Sequence, residues 1–249
     1  MDKYYTPELL ARDLLSRCSF VTSSARVMDP SCGGGALLSA AEIVLSAKSC
    51  VGLDLDGVTI RSLRRTKPHW RLSVANLLCE RSVRKSLVGK SELAPSVLLL
   101  NPPFSQNGRK YVEFQRPNGE IFRVGRAMQF LLQAIELFKP TEGIFAIVPE
   151  SLIYSELDER ARNLIGSQFK IREIAALKSS TFEGARVRSV AVELRRNLDR
   201  EEHVRNHTRG AMPIRFERGS LPVHRAVPFQ IGVPFIHSTD PLCQPSLHP

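Results

Sequence analysis

The tetrapeptide Asn101-Pro102-Pro103-Phe104 combines residue types that can bind a flat group carrying an NH2 substituent. It follows the unbroken apolar run at 96–100, which predicts a buried strand. The two prolines have no N–H donor and keep their carbonyl oxygens. The amide oxygen of Asn101 and the carbonyl of Pro102 can each accept one hydrogen from an amine, and Phe104 adds a planar apolar face. This pattern indicates a rigid receptor that turns an amine lone pair toward an electrophile.

A glycine-rich turn, DPSCGGG at 29–35, lies earlier in the chain between a predicted strand and a predicted helix. Glycines at such a turn permit positive φ angles and let backbone N–H groups approach a ligand. Asp54 ends the next predicted strand, where a carboxylate can accept hydrogen bonds from ribose hydroxyls. Together these features favour an adenosine-type cofactor over a plain flexible turn. Asp29 would repel a pyrophosphate, which disfavours NAD and suits the sulfonium or amino group of S-adenosylmethionine.

The elements that must position these residues alternate between strand and helix from residue 6 to about 195. The predicted helices are 6–18, 35–47, 57–66, 81–90, 126–138 and 151–166, and the predicted strands are 25–29, 50–54, 70–75, 96–100, 143–149, 170–177 and 186–196. Thr6 is the expected N-cap of the first helix, with Pro7 at its first position. Apolar strands that alternate with helices predict an α/β fold with a mostly parallel sheet. The last two strands have no helix between them, which predicts an antiparallel pair.

Composition narrows the class of protein. The chain has 249 residues, with 35 Lys and Arg against 25 Asp and Glu, for a net charge of +10. Such a charge favours a polyanionic partner, although many basic proteins bind none. No apolar run approaches the roughly 20 residues of a membrane span, and the N-terminus does not resemble a signal peptide. The five cysteines form no CxxC pair, so we expect no zinc site, no disulfide scaffold and a cytoplasmic location.

Taken together, the motifs over residues 1–195 resemble an S-adenosylmethionine-dependent N6-adenine DNA methyltransferase of the restriction–modification type. The resemblance is to the subgroup in which the cofactor motif DPSCGGGALL precedes the catalytic motif NPPF. It implies a Rossmann-like class I methyltransferase fold, with a mostly parallel seven-stranded sheet and an antiparallel last strand. It also implies S-adenosyl-L-methionine as cofactor and double-stranded DNA as partner, with adenine flipped out of the helix.

The resemblance assigns roles residue by residue. The residues expected to bind the cofactor are Tyr5, Thr6, Pro7, Asp29, Pro30, Cys32, Gly33, Gly35, Asp54, Leu55, Asn76, Leu77 and Asn101. The residues expected at the catalytic centre are Asn101, Pro102, Pro103 and Phe104, with Phe182 as a second aromatic that stacks on the flipped base. No metal site is expected.

Two features depart from the family pattern. Asn76 stands where the family usually has an aspartate that holds the cofactor adenine amine. We expect Asn76 to accept that hydrogen bond through its amide oxygen, without a charge. The methyltransferase domain is expected at 1–197, followed at 198–249 by a short irregular β appendage that resembles the beginning of a target-recognition domain. A separate recognition subunit or a cognate nuclease would then be a partner.

The segment 105–125 lacks clear periodicity, and we expect it to form a lid facing DNA. Basic side chains that can contact phosphates there are Arg109, Lys110, Arg116, Arg123 and Arg126. Aromatic side chains that can fill the gap left by a flipped base are Tyr111, Phe114 and Phe122. The alternative is a solvated insertion with a few hydrophobic contacts of its own.

Three other functions fit the same motifs. NPP[FY] also occurs in methyltransferases that act on RNA bases and in those that act on a glutamine amide of translation release factors. A third alternative is a non-catalytic remnant that binds cofactor or DNA without turnover. The tripeptide Tyr5-Thr6-Pro7 and the character of the C-terminal segment favour DNA.

Overall fold

A computed structural model describes residues 6–20, 25–86, 88, 94–104, 111–178 and 188–197. The helices are α1 (Glu8–Ser16), α2 (Ala36–Val44), α3 (Gly57–Thr66), α4 (Glu80–Lys85), α5 (Arg126–Phe138), α6 (Ser151–Tyr154) and α7 (Glu159–Gln168). The strands are β1 (Arg26–Asp29), β2 (Ser49–Asp54), β3 (Arg71–Val74), β4 (Val97–Leu100), β5 (Val112–Gln115), β6 (Ile121–Val124), β7 (Gly143–Pro149), β8 (Phe169–Leu177) and β9 (Ser189–Arg196).

Seven of these strands form one sheet in the order β3-β2-β1-β4-β7-β9-β8. The contacts between β1, β2, β3, β4 and β7 are parallel, whereas β9 runs antiparallel to both β7 and β8. The predicted α/β class, the mostly parallel seven-stranded sheet and its antiparallel last strand are therefore confirmed.

Helices cover both faces of the sheet, and each face has its own hydrophobic core. One core joins Leu14 of α1, Leu38 of α2 and Ile60 of α3 to inward side chains of the sheet. The other core is built around α5, which buries Met128 and Leu131. The strands β1, β2, β4 and β7 lie between these layers, which explains their almost unbroken apolar sequences.

Two local predictions were wrong. Thr6 is not the N-cap of α1, because Pro7 occupies that position and no side chain caps the helix. The predicted helix 151–166 is divided into α6, a 3-10 turn at Glu156–Asp158 and α7. The division occurs at Ser155, which has extended backbone angles and accepts the backbone N–H of Leu157 through its hydroxyl.

The segment 111–124 was expected to be a lid without regular structure, but it forms the antiparallel hairpin β5–β6. Phe114 and Phe122 face each other across the hairpin, and each is only 4% exposed. They belong to the core around α5, because alternate residues of both strands point toward that helix. The expectation that they fill a gap in DNA was therefore wrong.

The basic side chains of this segment that the structure describes have different contacts. Arg116 pairs with Glu136 at 2.9 Å and with Glu120 at 3.2 Å, so carboxylates of this chain engage the side chain that was predicted to contact a phosphate. Arg123 lies over the ring of Tyr111, 5.0 Å from its centroid, on the exposed face of the hairpin. Arg109 and Lys110 lie outside the described residues, as does the predicted appendage at 198–249.

Candidate active site

A cavity of about 530 Å³ opens at the carboxyl ends of β1, β2, β3 and β4. Ligands of open α/β sheets bind at this edge, because the loops that follow neighbouring strands converge there. Its lining residues are Thr6, Asp29, Pro30, Ser31, Cys32, Gly33, Gly34, Ala36, Leu37, Asp54, Leu55, Asp56, Ala75, Asn76, Leu77, Leu78, Asn101, Pro102, Pro103, Arg126 and Phe130. The glycine turn and the NPPF motif, more than 60 residues apart in sequence, therefore meet at one cavity.

The turn after β1 is held against the end of β2 by backbone hydrogen bonds. The N–H of Cys32 donates to the carbonyl of Leu53 at 2.8 Å. The N–H of Gly33 donates to one carboxylate oxygen of Asp54 at 2.8 Å, and the N–H of Asp56 donates to the other at 2.8 Å. Each carboxylate oxygen keeps a second lone pair for a ligand hydroxyl. The side chain of Asp54 is thereby oriented at the cavity wall.

Asp29 is the most deeply buried acid of the cavity wall, with 2% of its surface exposed. Burial raises the pKa of its carboxyl to about 8. The backbone N–H of Ser31, which donates to this carboxyl at 3.0 Å, has the smaller and opposite effect of lowering the pKa. The nearby charge of Asp54 raises the pKa further. Burial also raises the pKa of the Cys32 thiol well above its ordinary value, which disfavours the thiolate that a nucleophilic cysteine needs.

The NPPF motif begins at the residue after β4 and contributes three residues to the cavity wall, Asn101, Pro102 and Pro103. The side-chain Nδ2 of Asn101 donates to the hydroxyl of Thr6 at 2.9 Å. Thr6 is 6% exposed and lines the same cavity. Thr6 and Asn101 were both expected at the cofactor site, but the direct hydrogen bond between their side chains was not predicted.

Asn76 lies in the loop after β3 and lines the cavity. Its Oδ1 accepts the N–H of Leu78 at 3.0 Å, and its own backbone N–H donates to the Ser82 hydroxyl at 3.0 Å. These bonds make a tight local turn that presents Leu77 to the cavity. One lone pair of Oδ1 remains for a ligand amine.

Five predicted site residues stand apart from the cavity wall or cannot be placed. Pro7 is exposed at the start of α1, and Gly35 precedes α2, where an added β-carbon would lie 2.9 Å from the Trp70 ring. Tyr5 and Phe182 lie outside the described residues. Phe104, a fifth, is partly buried and packs against both hydrophobic cores.

Two cavity residues come from α5 and were not predicted to contact a cofactor. Phe130 presents an apolar ring, and Arg126 carries the only positive charge among the described lining residues. Arg126 also donates to the side chain of Gln129 at 2.9 Å. No motif marks these two residues, because their place in the wall follows from how α5 packs on the sheet.

Comparison with known proteins shows that solved structures share the fold of this chain. No protein-family model and no curated protein matches the sequence. A dimethyladenosine transferase from Plasmodium falciparum is similar in structure, with a TM-score of 0.54 and 14% identity over 80% of this chain and 64% of that one. A protein described as a class I S-adenosylmethionine-dependent methyltransferase from Listeria monocytogenes has a TM-score of 0.52 and 18% identity over 78% of this chain and 61% of that one. The 23S rRNA methyltransferase ErmE has a TM-score of 0.52 and 13% identity over 79% of this chain and 70% of that one.

The strand order of the sheet and the similarity to these methyltransferase structures indicate the same fold. The chain has the class I S-adenosylmethionine-dependent methyltransferase fold. It spans 64% and 61% of the lengths of the first two proteins named above.

The residues of this methyltransferase fold suit S-adenosylmethionine in size and chemistry. The cavity is within the range of small-molecule sites, about 300–1,000 Å³. Asp54 supplies acceptors for a diol, Asp29 supplies negative charge for a cation in its ionised form, and Leu55, Leu77 and Phe130 supply apolar surface for a flat base. The described residues include no cluster of three or more His, Cys, Asp or Glu placed to hold a metal ion. Within the same residues, no helix is both long and apolar enough to cross a membrane.

Proposed function

We propose that this chain binds S-adenosyl-L-methionine and transfers its methyl group to the N6 amine of adenine in double-stranded DNA. One observation carries the proposal: Asn101 and Pro102 of NPPF line the same cavity as the glycine turn and Asp54. A receptor for an NH2 group and a receptor for an adenosine cofactor are thus adjacent. The fold of structurally similar methyltransferases supports the cofactor assignment.

When bound, S-adenosylmethionine supplies an electrophilic methyl group on a positively charged sulfur. Asp54 would accept the ribose hydroxyls, and Leu55, Leu77 and Phe130 would contact the adenine ring. Asn76 would accept a hydrogen from the cofactor's adenine amine. Asp29 would face a cationic part of the cofactor, with which its ionised form pairs favourably in this buried place.

The substrate amine would donate one hydrogen to Asn101 Oδ1 and the other to the Pro102 carbonyl. These bonds direct the nitrogen lone pair out of the adenine plane toward the methyl carbon. In the transfer, the new N–C bond would form as the bond between sulfur and the methyl carbon breaks. The electron pair of the broken bond would remain on sulfur, and the alkylated amine would release a proton to solvent. Phe104 and Phe182 are proposed to stack on the flipped base. The chain accelerates this step by positioning and by hydrogen bonding.

The net charge of +10 supports a nucleic-acid substrate. The resemblance of Tyr5-Thr6-Pro7 to the N-terminal motif of N6-adenine DNA methyltransferases favours DNA. A separate recognition subunit or a cognate nuclease belongs to the same proposal. Adenine in RNA is the second candidate, because two of the structurally similar proteins carry names that refer to dimethyladenosine and to 23S rRNA.

The test is methyl transfer from radiolabelled S-adenosylmethionine to unmethylated double-stranded DNA, with bulk RNA in parallel. The Asn101→Ala variant should lose at least about a hundredfold in turnover, because the amine loses its oriented acceptor. Asn163→Ala, which truncates an exposed asparagine of α7, is the matched control and should retain wild-type turnover. Binding of S-adenosylhomocysteine, measured by calorimetry, distinguishes a variant that has lost methyl transfer from one that has lost cofactor binding.

Label recovered as N6-methyladenine in DNA, and lost in Asn101→Ala, is the expected result. Label in RNA alone would move the proposal to the second candidate. Cofactor binding without label in either nucleic acid, with and without added cell extract as a source of a recognition subunit, would refute both.

A further inference from the structure

The side chains of Thr6 and Asn101 are joined by a hydrogen bond across 95 residues of sequence. Nδ2 of Asn101 donates, and Oγ1 of Thr6 accepts at 2.9 Å. Thr6 is 6% exposed, so little water competes for the bond. Both residues line the cavity, which places the bond at the candidate catalytic centre.

An asparagine amide has two different ends, and only the oxygen can receive a hydrogen from a substrate amine. The bond to Thr6 engages the nitrogen end, so Oδ1 lies on the other side of the amide group. Asn101 holds the only side-chain N–H group of the NPPF motif, and Pro102 and Pro103 have no backbone N–H. Thr6 thus engages a donor that would otherwise be able to face the amine.

We propose that Thr6 is a positioning residue that holds the Asn101 amide with its oxygen toward the substrate amine. This inference rests on the proposed function, and it gives Thr6 a different task from the cofactor contact implied by the sequence resemblance. Thr6 acts through Asn101, whereas Asn101 touches the substrate.

Helix α1 begins two residues after Thr6 and is anchored well enough to hold Thr6 in place. Ala11, Leu14 and Leu15 are at most 1% exposed and pack into the hydrophobic core on one face of the sheet. Beyond the helix, the N–H and the hydroxyl of Ser19 donate to the buried carboxylate of Glu193, at 2.7 and 2.9 Å. The Thr6 hydroxyl is therefore presented to Asn101 from a segment that leads directly into an anchored helix.

The two roles for Thr6 predict different kinetics. A residue that contacts the cofactor changes cofactor affinity when its hydroxyl is removed. A residue that orients Asn101 changes turnover at saturating cofactor, because a misplaced acceptor costs most in the transition state. Thr6→Val removes the hydroxyl and keeps the shape, while Thr6→Ser keeps the hydroxyl.

We expect Thr6→Val to lower kcat about ten- to a hundredfold, with the KM for S-adenosylmethionine and the calorimetric Kd for S-adenosylhomocysteine changed less than about threefold. Thr6→Ser should recover most of kcat. Thr66→Val, at the exposed end of α3, is the matched control and should retain wild-type kcat.

A second readout does not depend on turnover. In a ¹⁵N–¹H NMR spectrum, the side-chain amide pair of Asn101 is identified by its disappearance in Asn101→Ala. That pair should shift in Thr6→Val and stay near its wild-type position in Thr6→Ser and Thr66→Val.

Unchanged kcat and an unmoved Asn101 resonance in Thr6→Val would overturn the inference. So would a Thr6→Val protein whose loss lies entirely in cofactor affinity. If wild-type protein methylates nothing, the proposed function fails, while the NMR comparison still decides whether Thr6 orients the Asn101 amide.

Discussion

A β-carbon built on Gly35 would lie 2.9 Å from Cζ3 of Trp70, so the cofactor turn packs against the indole ring as closely as a glycine permits. The ring cannot move aside freely, because its Nε1 donates to the Glu42 carboxylate at 3.0 Å. The Lys67 ammonium lies over the same ring and also pairs with Glu42. The start of α2 is therefore positioned by the loop before β3.

The first prediction concerns this contact. Gly35 has φ +79, so Gly35→Ala combines an unfavourable backbone angle with a clash, and should lower the free energy of unfolding by about 2–4 kcal/mol. Gly119→Ala is the matched control, because Gly119 has φ +86 with nothing within 4 Å of the added carbon. It should cost only the backbone strain, about 1 kcal/mol. Equal losses in urea denaturation would show that Trp70 does not constrain the turn.

The second prediction concerns the pH dependence of stability at Asp29. Its pKa is about 8 in the folded chain, whereas an ordinary unfolded aspartate titrates near 3.9. Between these values the folded chain keeps a proton that the unfolded chain has released, so raising the pH lowers the free energy of unfolding. The slope approaches about 1.4 kcal/mol per pH unit inside that window.

Asp29→Asn cannot titrate and should remove this slope. Urea denaturation at pH 5, 6, 7 and 8 should show the variant gaining stability relative to wild type as the pH rises. A difference that stays constant over the four pH values would mean that Asp29 is ionised in the folded chain throughout.

The third prediction concerns the hairpin. Phe122 is 4% exposed in the core around α5, so Phe122→Ala should lower the free energy of unfolding by about 3–5 kcal/mol. Tyr111→Ala, at a 40% exposed position of the same segment, should cost less than about 1 kcal/mol. Thermal and urea unfolding both report the difference. A small loss for Phe122→Ala would indicate that the ring is exposed and available to a ligand.

The fourth prediction concerns Glu193, a fully buried carboxylate on β9 that accepts from Ser19 and pairs with Arg172. Glu193→Gln turns one acceptor into a donor that faces the Arg172 guanidinium. We expect a loss of about 2–4 kcal/mol in the free energy of unfolding, because buried polar groups then lack partners.

Glu173→Gln is the control for charge removal, since Glu173 is an exposed residue of β8. It should stay within about 0.5 kcal/mol of wild type in urea denaturation. If both variants lose the same stability, the buried network around Glu193 contributes nothing specific.

Much of the candidate site could be read from neighbouring residues in the sequence. Asp54 ends an apolar strand, and Asn101 follows another, so both were expected at the carboxyl edge of a parallel sheet. The structure places both in one cavity with Asp29. The signals are local ones: strand periodicity, glycines at a strand-to-helix turn, and consecutive prolines.

Other parts of the site gave no such signal. Arg126 and Phe130 line the cavity because α5 crosses the sheet beside the NPPF motif, and nothing in their own sequence marks them as cavity residues. Arg126 was expected instead to contact a phosphate. Phe114 and Phe122 were misassigned because the short hairpin alternates over only four residues on each strand. Such brief patterns fit an exposed loop as well as a packed hairpin.

By itself, the sequence determined the α/β order of elements, the turn after β1, and the presence of acceptors without donors at Pro102 and Pro103. These properties depend on backbone sterics and side-chain periodicity within a few residues. The tertiary structure decided which distant side chains meet: Thr6 with Asn101, Glu193 with Ser19, and Trp70 with Gly35. Those contacts depend on the strand order β3-β2-β1-β4-β7-β9-β8 and on how the helices pack over the sheet. Burial and hydrogen-bond partners are set by residues that are distant in sequence and become neighbours only in the folded chain.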